Sequence, residues 1–240
     1  MRGVTWLLAG ALVLWSLIAN LAIGERAYTT RNLLLTGLLL AGWWWHRTRG
    51  RDGAADPSTV ARELGLAPRQ VGAGLRWGGA AFLLVAGAIG IGVLLADAVA
   101  PIGALLSDQR AAGFADDVWF VALVRIPLGT AIFEEVAFRG VLLAAALRWL
   151  STWRAVGLSS VVFGLWHIAP TMVALEINAV AVGSAEGVAT IVGAVVVTTI
   201  AGWLFCWLRV RSGSLLAPIL AHVATNSVSL VAAVAVQGLL

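Results

Sequence analysis

The 240-residue chain contains no lysine, a single cysteine and few charges of either sign: 12% of its residues are charged and 60% are hydrophobic. A soluble domain is roughly 25% charged and about 45–50% apolar, so a water-soluble globular fold is excluded. Disorder is excluded too, because it requires low hydrophobicity and the mean hydropathy here is +0.94. All 16 cations are arginines, set against 12 acids. The pI near 10.9 therefore rests on an excess of four positive charges and not on a dense basic face, and nucleic acid is not an expected partner. The one cysteine, Cys206, can form no intramolecular disulfide and lies in an apolar run, where it is expected to pack as a small hydrophobe.

Hydrophobic length is abundant. A helix crossing a ~30 Å hydrocarbon layer needs about 20 mostly apolar residues. Seven runs approach or exceed this, near Val4–Ile23, Asn32–Trp45, Trp77–Ala100, Val118–Leu147, Ala155–Val173, Val188–Leu208 and Ser214–Val236, the second being short unless it begins nearer Tyr28. Open sheets are not available in lipid, where every backbone group must pair internally, so the expected fold is all-α: a polytopic bundle of about seven membrane helices. The first run exceeds the 7–15 residues typical of a signal-peptide core, no A-x-A site follows it, and it reads as a membrane helix. With the N-terminus inside, eleven arginines fall on cytoplasmic segments and three (Arg26, Arg31, Arg110) on the other side. The positive-inside rule therefore predicts a cytoplasmic N-terminus and an external C-terminus.

Residues 1–117 read as three N-terminal membrane helices with an arginine-rich cytoplasmic loop at 46–76, and 118–240 as a second block of four membrane helices. Within the loop, Ser58–Leu66 is expected to form a short helix capped by Ser58 or Thr59, and its arginines to anchor the chain at anionic lipid headgroups. Trp43, Trp44, Trp45 and Trp77 read as an interfacial belt, and the Gly74–Gly78 and Gly87–Ile91 spacings as close helix contacts.

The fourth run holds four ionisable residues, Arg125, Glu134, Glu135 and Arg139. Each charge at a helix centre costs about 2.5–3.5 kcal/mol on insertion scales, so two adjacent carboxylates there require a reason. Glu135 and Arg139 are spaced i,i+4 for an ion pair on one helix face. Glu134 lies about 100° round the helix with no such partner and must point elsewhere. His167 in the fifth run and His222 with Asn226 in the seventh fall, at a rise of ~1.5 Å per residue, in the same layer ~12–20 Å from the arginine-rich boundary. One buried carboxylate with two imidazoles and a carboxamide can activate water and hold an oxyanion. The same set, with Glu134, His167 and His222 as ligands, is also an open zinc site. Small residues Gly129, Gly140, Gly157, Gly164 and Gly213 lie toward that boundary, predicting a cavity that opens to the cytoplasm there.

Glu134-Glu135-Val-Ala-Phe-Arg139, Phe163-Gly-Leu-Trp-His167 and His222-Val-Ala-Thr-Asn226 resemble, in order, the EExxxR, FxxxH and HxxxN motifs of the CAAX-prenyl-protease and bacteriocin-processing (CPBP) family. The resemblance covers about Phe120 to Val236. It implies an intramembrane endopeptidase acting on a membrane-associated protein or peptide, with Glu134 as the water-activating base and His167 sharing the water. His222 and Asn226 would line the oxyanion side, with Glu135, Arg139 and Phe163 in support. Family members are described both as glutamate-dependent proteases and as metalloproteases, so zinc on His167, His222 and Glu134 stays an alternative to a site without a tightly bound metal. The alternative from another class is a non-catalytic immunity or scaffold protein that keeps these residues as helix-packing contacts. A chain rich in Ala, Gly, Arg and Trp and lacking Lys fits a GC-rich bacterial source, hence a bacterial cytoplasmic membrane, lipid as an obligate partner, and a substrate other than housekeeping prenyl-proteins. The oligomeric state stays open.

Overall fold

Asp56 opens the structured part of the arginine-rich loop. Its carboxylate accepts the backbone N–H groups of Ser58 and Thr59 at 2.9 and 3.1 Å, and Pro57 at the first helical position needs no hydrogen-bond acceptor. These bonds and those of the Ser58 and Thr59 hydroxyls hold the exposed Asp56 carboxyl well below the usual carboxylate range. The helix runs Pro57–Leu64 and stops at Gly65, whose φ of +74° suits glycine. The expected helix is therefore present, but Asp56 caps it, because a carboxylate accepts two N–H groups at once.

A computed structural model describes residues 1–49, 55–107 and 109–240; Arg51 and Asp52 of the arginine tally, and Asp108, lie outside them. The elements are α1 (Arg2–Ile23), α2 (Tyr28–Arg49), α3 (Pro57–Leu64), α4 (Val71–Leu95), α5 (Ala100–Leu106), α6 (Gln109–Ala112), α7 (residues 118–147), α8 (Thr152–Ile177), α9 (Ala185–Ser212) and α10 (Leu216–Val236). No strand occurs among the described residues, and the protein is an all-α polytopic bundle. Among the described residues, five segments are long and apolar enough to cross a membrane: α1, α3–α4, α8, α9 and α10. α2 and α7 fall outside that set, α7 because it carries the buried charges. Residues 133–146 of α7 are buried throughout, so the other helices screen its ionisable side chains from lipid.

The N-terminal helices pack directly on the rest: α1 on α8, α2 on α7, and α4 along α10. The last contact uses the Gly74–Gly78 pair as expected. A Cβ on Gly78 would stand 2.9 Å from Ala217 Cα, and one on Gly74 would stand 2.5 Å from Ser214 Oγ.

Two expectations for the arginine-rich end are corrected. Trp43 is not part of a belt: it is 3% exposed and packs with Val60 and Leu64 of α3, whereas Trp44 and Trp45 are exposed. Nor are all the arginines lipid anchors. Arg47 is buried and makes a two-point pair with Glu63 (2.9 Å for both bonds), and Arg148 reaches the same carboxylate at 3.3 Å. Arg209 Nη2 donates to the Glu63 and Arg62 carbonyls at 2.9 and 3.3 Å, placing a cation at the C-terminus of α3, where the helix dipole favours it. Burial of Val60 and Leu64, worth roughly 1.5–3 kcal/mol each, pulls α3 against the bundle and brings these arginines to internal partners.

Candidate active site

The helix that carries the two glutamates is widened on both sides of them. Its hydrogen bonds take the i→i+5 pattern over Val121–Ala131 and Val136–Leu142, leaving Ile132–Glu135 as a short α-helical turn between. Pro127, which lacks an N–H, sits in the first widened stretch. Such widened turns concentrate at functional sites.

Glu135 and Arg139 pair as their spacing demands, Nη1 to Oε1 at 2.9 Å with both side chains fully buried. The Arg139 guanidinium lies 4.0 Å from the Phe163 ring centroid and 5.1 Å from that of Phe205, so aromatic faces take up the rest of its charge. Phe163 also packs edge-on to the rings of His167 (4.6 Å) and His222 (6.1 Å). It is the apolar hub that the polar groups surround.

His222 bridges the two carboxylates. Its Nδ1 lies 2.8 Å from Glu135 Oε1 and its Nε2 lies 3.8 Å from Glu134 Oε2. The Glu134 Oε1 atom accepts the indole N–H of Trp166 at 3.2 Å. Its Oε2 atom is buried and has no hydrogen-bond partner among the described residues. His167 Nδ1 is 2.8 Å from the Phe163 carbonyl oxygen. A carbonyl can only accept, so in the neutral ring the proton is on Nδ1 and Nε2 carries the lone pair.

Glu134, Trp166, His167 and Asn226 line a cavity of about 790 Å³ that reaches the surface at the exposed residues Glu25, Gln109 and Arg110. His222 is not on its wall: it lies behind Glu134, whereas Asn226 faces the cavity. The mouth is also at the opposite end of the bundle from the arginine-rich loop, so the expected opening on that side is corrected. Of the glycines invoked for it, Gly129 and Gly164 are taken up in helix contacts, whereas Gly157 has nothing within 4 Å of its Cβ position. A Cβ on Gly164 would stand 2.1 Å from Thr199 Oγ1 of α9, and one on Gly129 would meet the Tyr28 ring at 3.1 Å. Arg125 belongs to the mouth, paired with Glu25 and set over the rings of Tyr28 (4.8 Å) and Phe114 (5.0 Å).

Sequence reasoning missed the contribution of the N-terminal helices. Tyr28 and Asn32 of α2 line the cavity, Tyr28 Oη lying 3.0 Å from Thr130 Oγ1 and Asn32 Nδ2 donating to the Gly129 carbonyl at 2.7 Å. The signal available was a lone tyrosine and a buried-run asparagine on one helix face, four residues apart. Trp166 was visible inside the FxxxH string, but its role depends on a helix break described below.

As ligands for zinc, the residues present do not fit. Nδ1 of each imidazole is engaged, which leaves only the Nε2 atoms to face a metal, and among the described residues no three His, Cys, Asp or Glu side chains converge as a metal site. No step below is routed through a metal.

A membrane bundle in which one carboxylate, one imidazole and a carboxamide line a cavity, backed by a second imidazole and carboxylate, defines the class: a polytopic membrane protein with an internal polar site. Residues 116–228 match the family model described as type II CAAX prenyl endopeptidase Rce1-like. Over that stretch, just under half of the chain, the match supports an Rce1-like protein and, in general terms, a CAAX-type intramembrane protease. No curated protein and no solved structure matches the chain.

Proposed function

We propose that the protein is a glutamate-dependent endopeptidase of the bacterial cytoplasmic membrane that hydrolyses a peptide bond in a membrane-associated protein or peptide. The observation that carries this reading is that Glu134 lines a cavity shared with His167 and Asn226, with one carboxylate oxygen taken by the Trp166 N–H and the other making no hydrogen bond. A water held between the Glu134 carboxylate and the Nε2 lone pair of His167 gives a proton to that carboxylate as its oxygen attacks the carbonyl carbon. The carbonyl oxygen becomes an oxyanion, to which the Asn226 carboxamide donates an N–H. Collapse breaks the C–N bond, and the proton held on Glu134 passes to the leaving nitrogen and restores the carboxylate. General base catalysis contributes about 10²–10⁴-fold and one oxyanion donor about 10²–10³-fold.

Behind Glu134, His222 links it to the Glu135–Arg139 pair and keeps the two adjacent carboxylates in different environments. Residues 118–240 form the catalytic core, and 1–117 complete its cavity. The arginine count argues for seven spans with a cytoplasmic N-terminus, which turns the cavity mouth to the external side. Protein reconstituted in lipid vesicles and offered quenched, membrane-tethered peptides tests the assignment. Asn226→Ala is expected to lower kcat by about 10²-fold with KM little changed. Unchanged kcat would remove Asn226 from the mechanism.

A further inference from the structure

Within α8 the chain breaks at His167. His167 (φ −80°, ψ −2°) closes a tight turn in which its N–H donates to the Gly164 carbonyl at 3.0 Å. Three residues on, Pro170 has no N–H, and the carbonyl it would have paired in a continuous helix is that of Trp166, four residues earlier. That carbonyl is buried and takes a partner from another helix: the Ser16 hydroxyl of α1 donates to it at 2.6 Å. The Trp166 backbone is thus fixed by Ser16, and its ring is wedged against Phe133 (5.8 Å) and Phe138 (5.6 Å). From this double anchorage the indole N–H meets one oxygen of Glu134 and not the other.

We propose that Trp166, held by Ser16 at the Pro170 break, is a positioning residue that locks the Glu134 carboxylate in one orientation, with Oε1 toward the indole and Oε2 toward His222. This rests on the reading of Glu134 as the base and extends it. Nothing in the FxxxH spacing requires a tryptophan before the histidine. It is the hydrogen bond, together with the α1 contact, that gives the residue its role, and through Ser16 the N-terminal helices act on the alignment of the base.

The test measures the hydrogen bond directly on Glu134 and needs no substrate. Dicyclohexylcarbodiimide modifies a carboxyl group only in its protonated form, so the pH at half-labelling of Glu134, read by mass spectrometry of the full-length protein in detergent, reports its titration. An N–H donated to a carboxylate favours the ionised form, so its loss lets the group hold its proton to higher pH. Other groups face Glu134: His222 at 3.8 Å, the neighbouring Glu135–Arg139 pair, and His167 and Tyr28 on the cavity wall. None of these is altered by the substitutions. Trp166→Phe keeps the ring stack and deletes the donor, and the half-labelling pH is expected to rise by about one unit. Ser16→Ala, which leaves every ring in place, is expected to move it in the same direction by less. Phe133→Leu, which loosens the stack but keeps the donor, is expected to lower thermal stability without moving the midpoint. A midpoint unchanged from the parent in both Trp166→Phe and Ser16→Ala overturns the proposal, whatever the peptidase assay gives. If peptidase activity survives Glu134→Gln while the midpoint shifts as described, the positioning contact stands and the functional reading falls.

Discussion

His222 Nδ1 and Glu135 Oε1 lie 2.8 Å apart, and Arg139 Nη1 reaches the same oxygen at 2.9 Å. One buried carboxylate oxygen therefore ties together α7 and α10, the helices that carry the first and third motifs. Removing it strands a guanidinium of which the Nε and Nη2 atoms already have no hydrogen-bond acceptor.

Glu135→Ala is therefore expected to destabilise the protein by about 3–5 kcal/mol, the usual cost of leaving one partner of a buried pair unmatched. Glu134→Ala is expected to cost less, about 1–3 kcal/mol, because it strands the Trp166 N–H but leaves the Glu135–Arg139 pair intact. Thermal unfolding in detergent compares the two. Equal, large losses for both, in a protein with no peptidase activity, would favour a scaffold that keeps the cluster as packing contacts.

The α4–α10 contact makes a second, independent prediction about the fold. Gly78→Leu sets a side chain against the Ala217 backbone and is expected to cost about 1–3 kcal/mol or to prevent insertion, whereas Gly87→Leu, with nothing within 4 Å of its Cβ position, is expected to be silent. Equal expression and unfolding temperature for the two variants would show that the two helices do not approach this closely.

What the sequence made legible was whatever depends on spacing along one chain. The Glu135–Arg139 pair, the Gly74–Gly78 contact and the common layer of Glu134, His167, His222 and Asn226 all follow from helix period and rise. What stayed hidden depends on which helix lies opposite. Trp43 looks like Trp44 and Trp45 until α3 folds over it, and Arg47 and Arg209 look like lipid anchors until Glu63 and the carbonyl end of α3 come within reach. The position of the cavity mouth was misjudged for the same reason: Gly164 reads as free space in the sequence, but α9 fills that space.

That mouth gives a topological prediction. In a Cys206→Ser background, a cysteine replacing Gln109 at the rim is expected to react with a membrane-impermeant maleimide applied outside intact cells. A cysteine replacing Arg62 on α3 is expected to react only after permeabilisation. The reverse pattern would turn the cavity to the cytoplasm and overrule the arginine count.

For the cofactor, the lack of three converging ligand side chains among the described residues predicts a protein purified without stoichiometric zinc, and activity that survives a chelator. One zinc per chain, lost with activity in His222→Ala, would require Glu134 and the Nε2 atoms of the histidines to converge as they do not here.

The most direct test of the account is the turnover of Glu134→Gln. The amide keeps the size of the side chain and an oxygen for the Trp166 N–H but cannot accept a proton from water. In vesicles, against membrane-tethered quenched peptides that the parent cleaves, this variant is expected to insert and unfold like the parent and to lose at least about 10³-fold in kcat. Full activity in Glu134→Gln would contradict the assignment of Glu134 as the base and, with it, the mechanism.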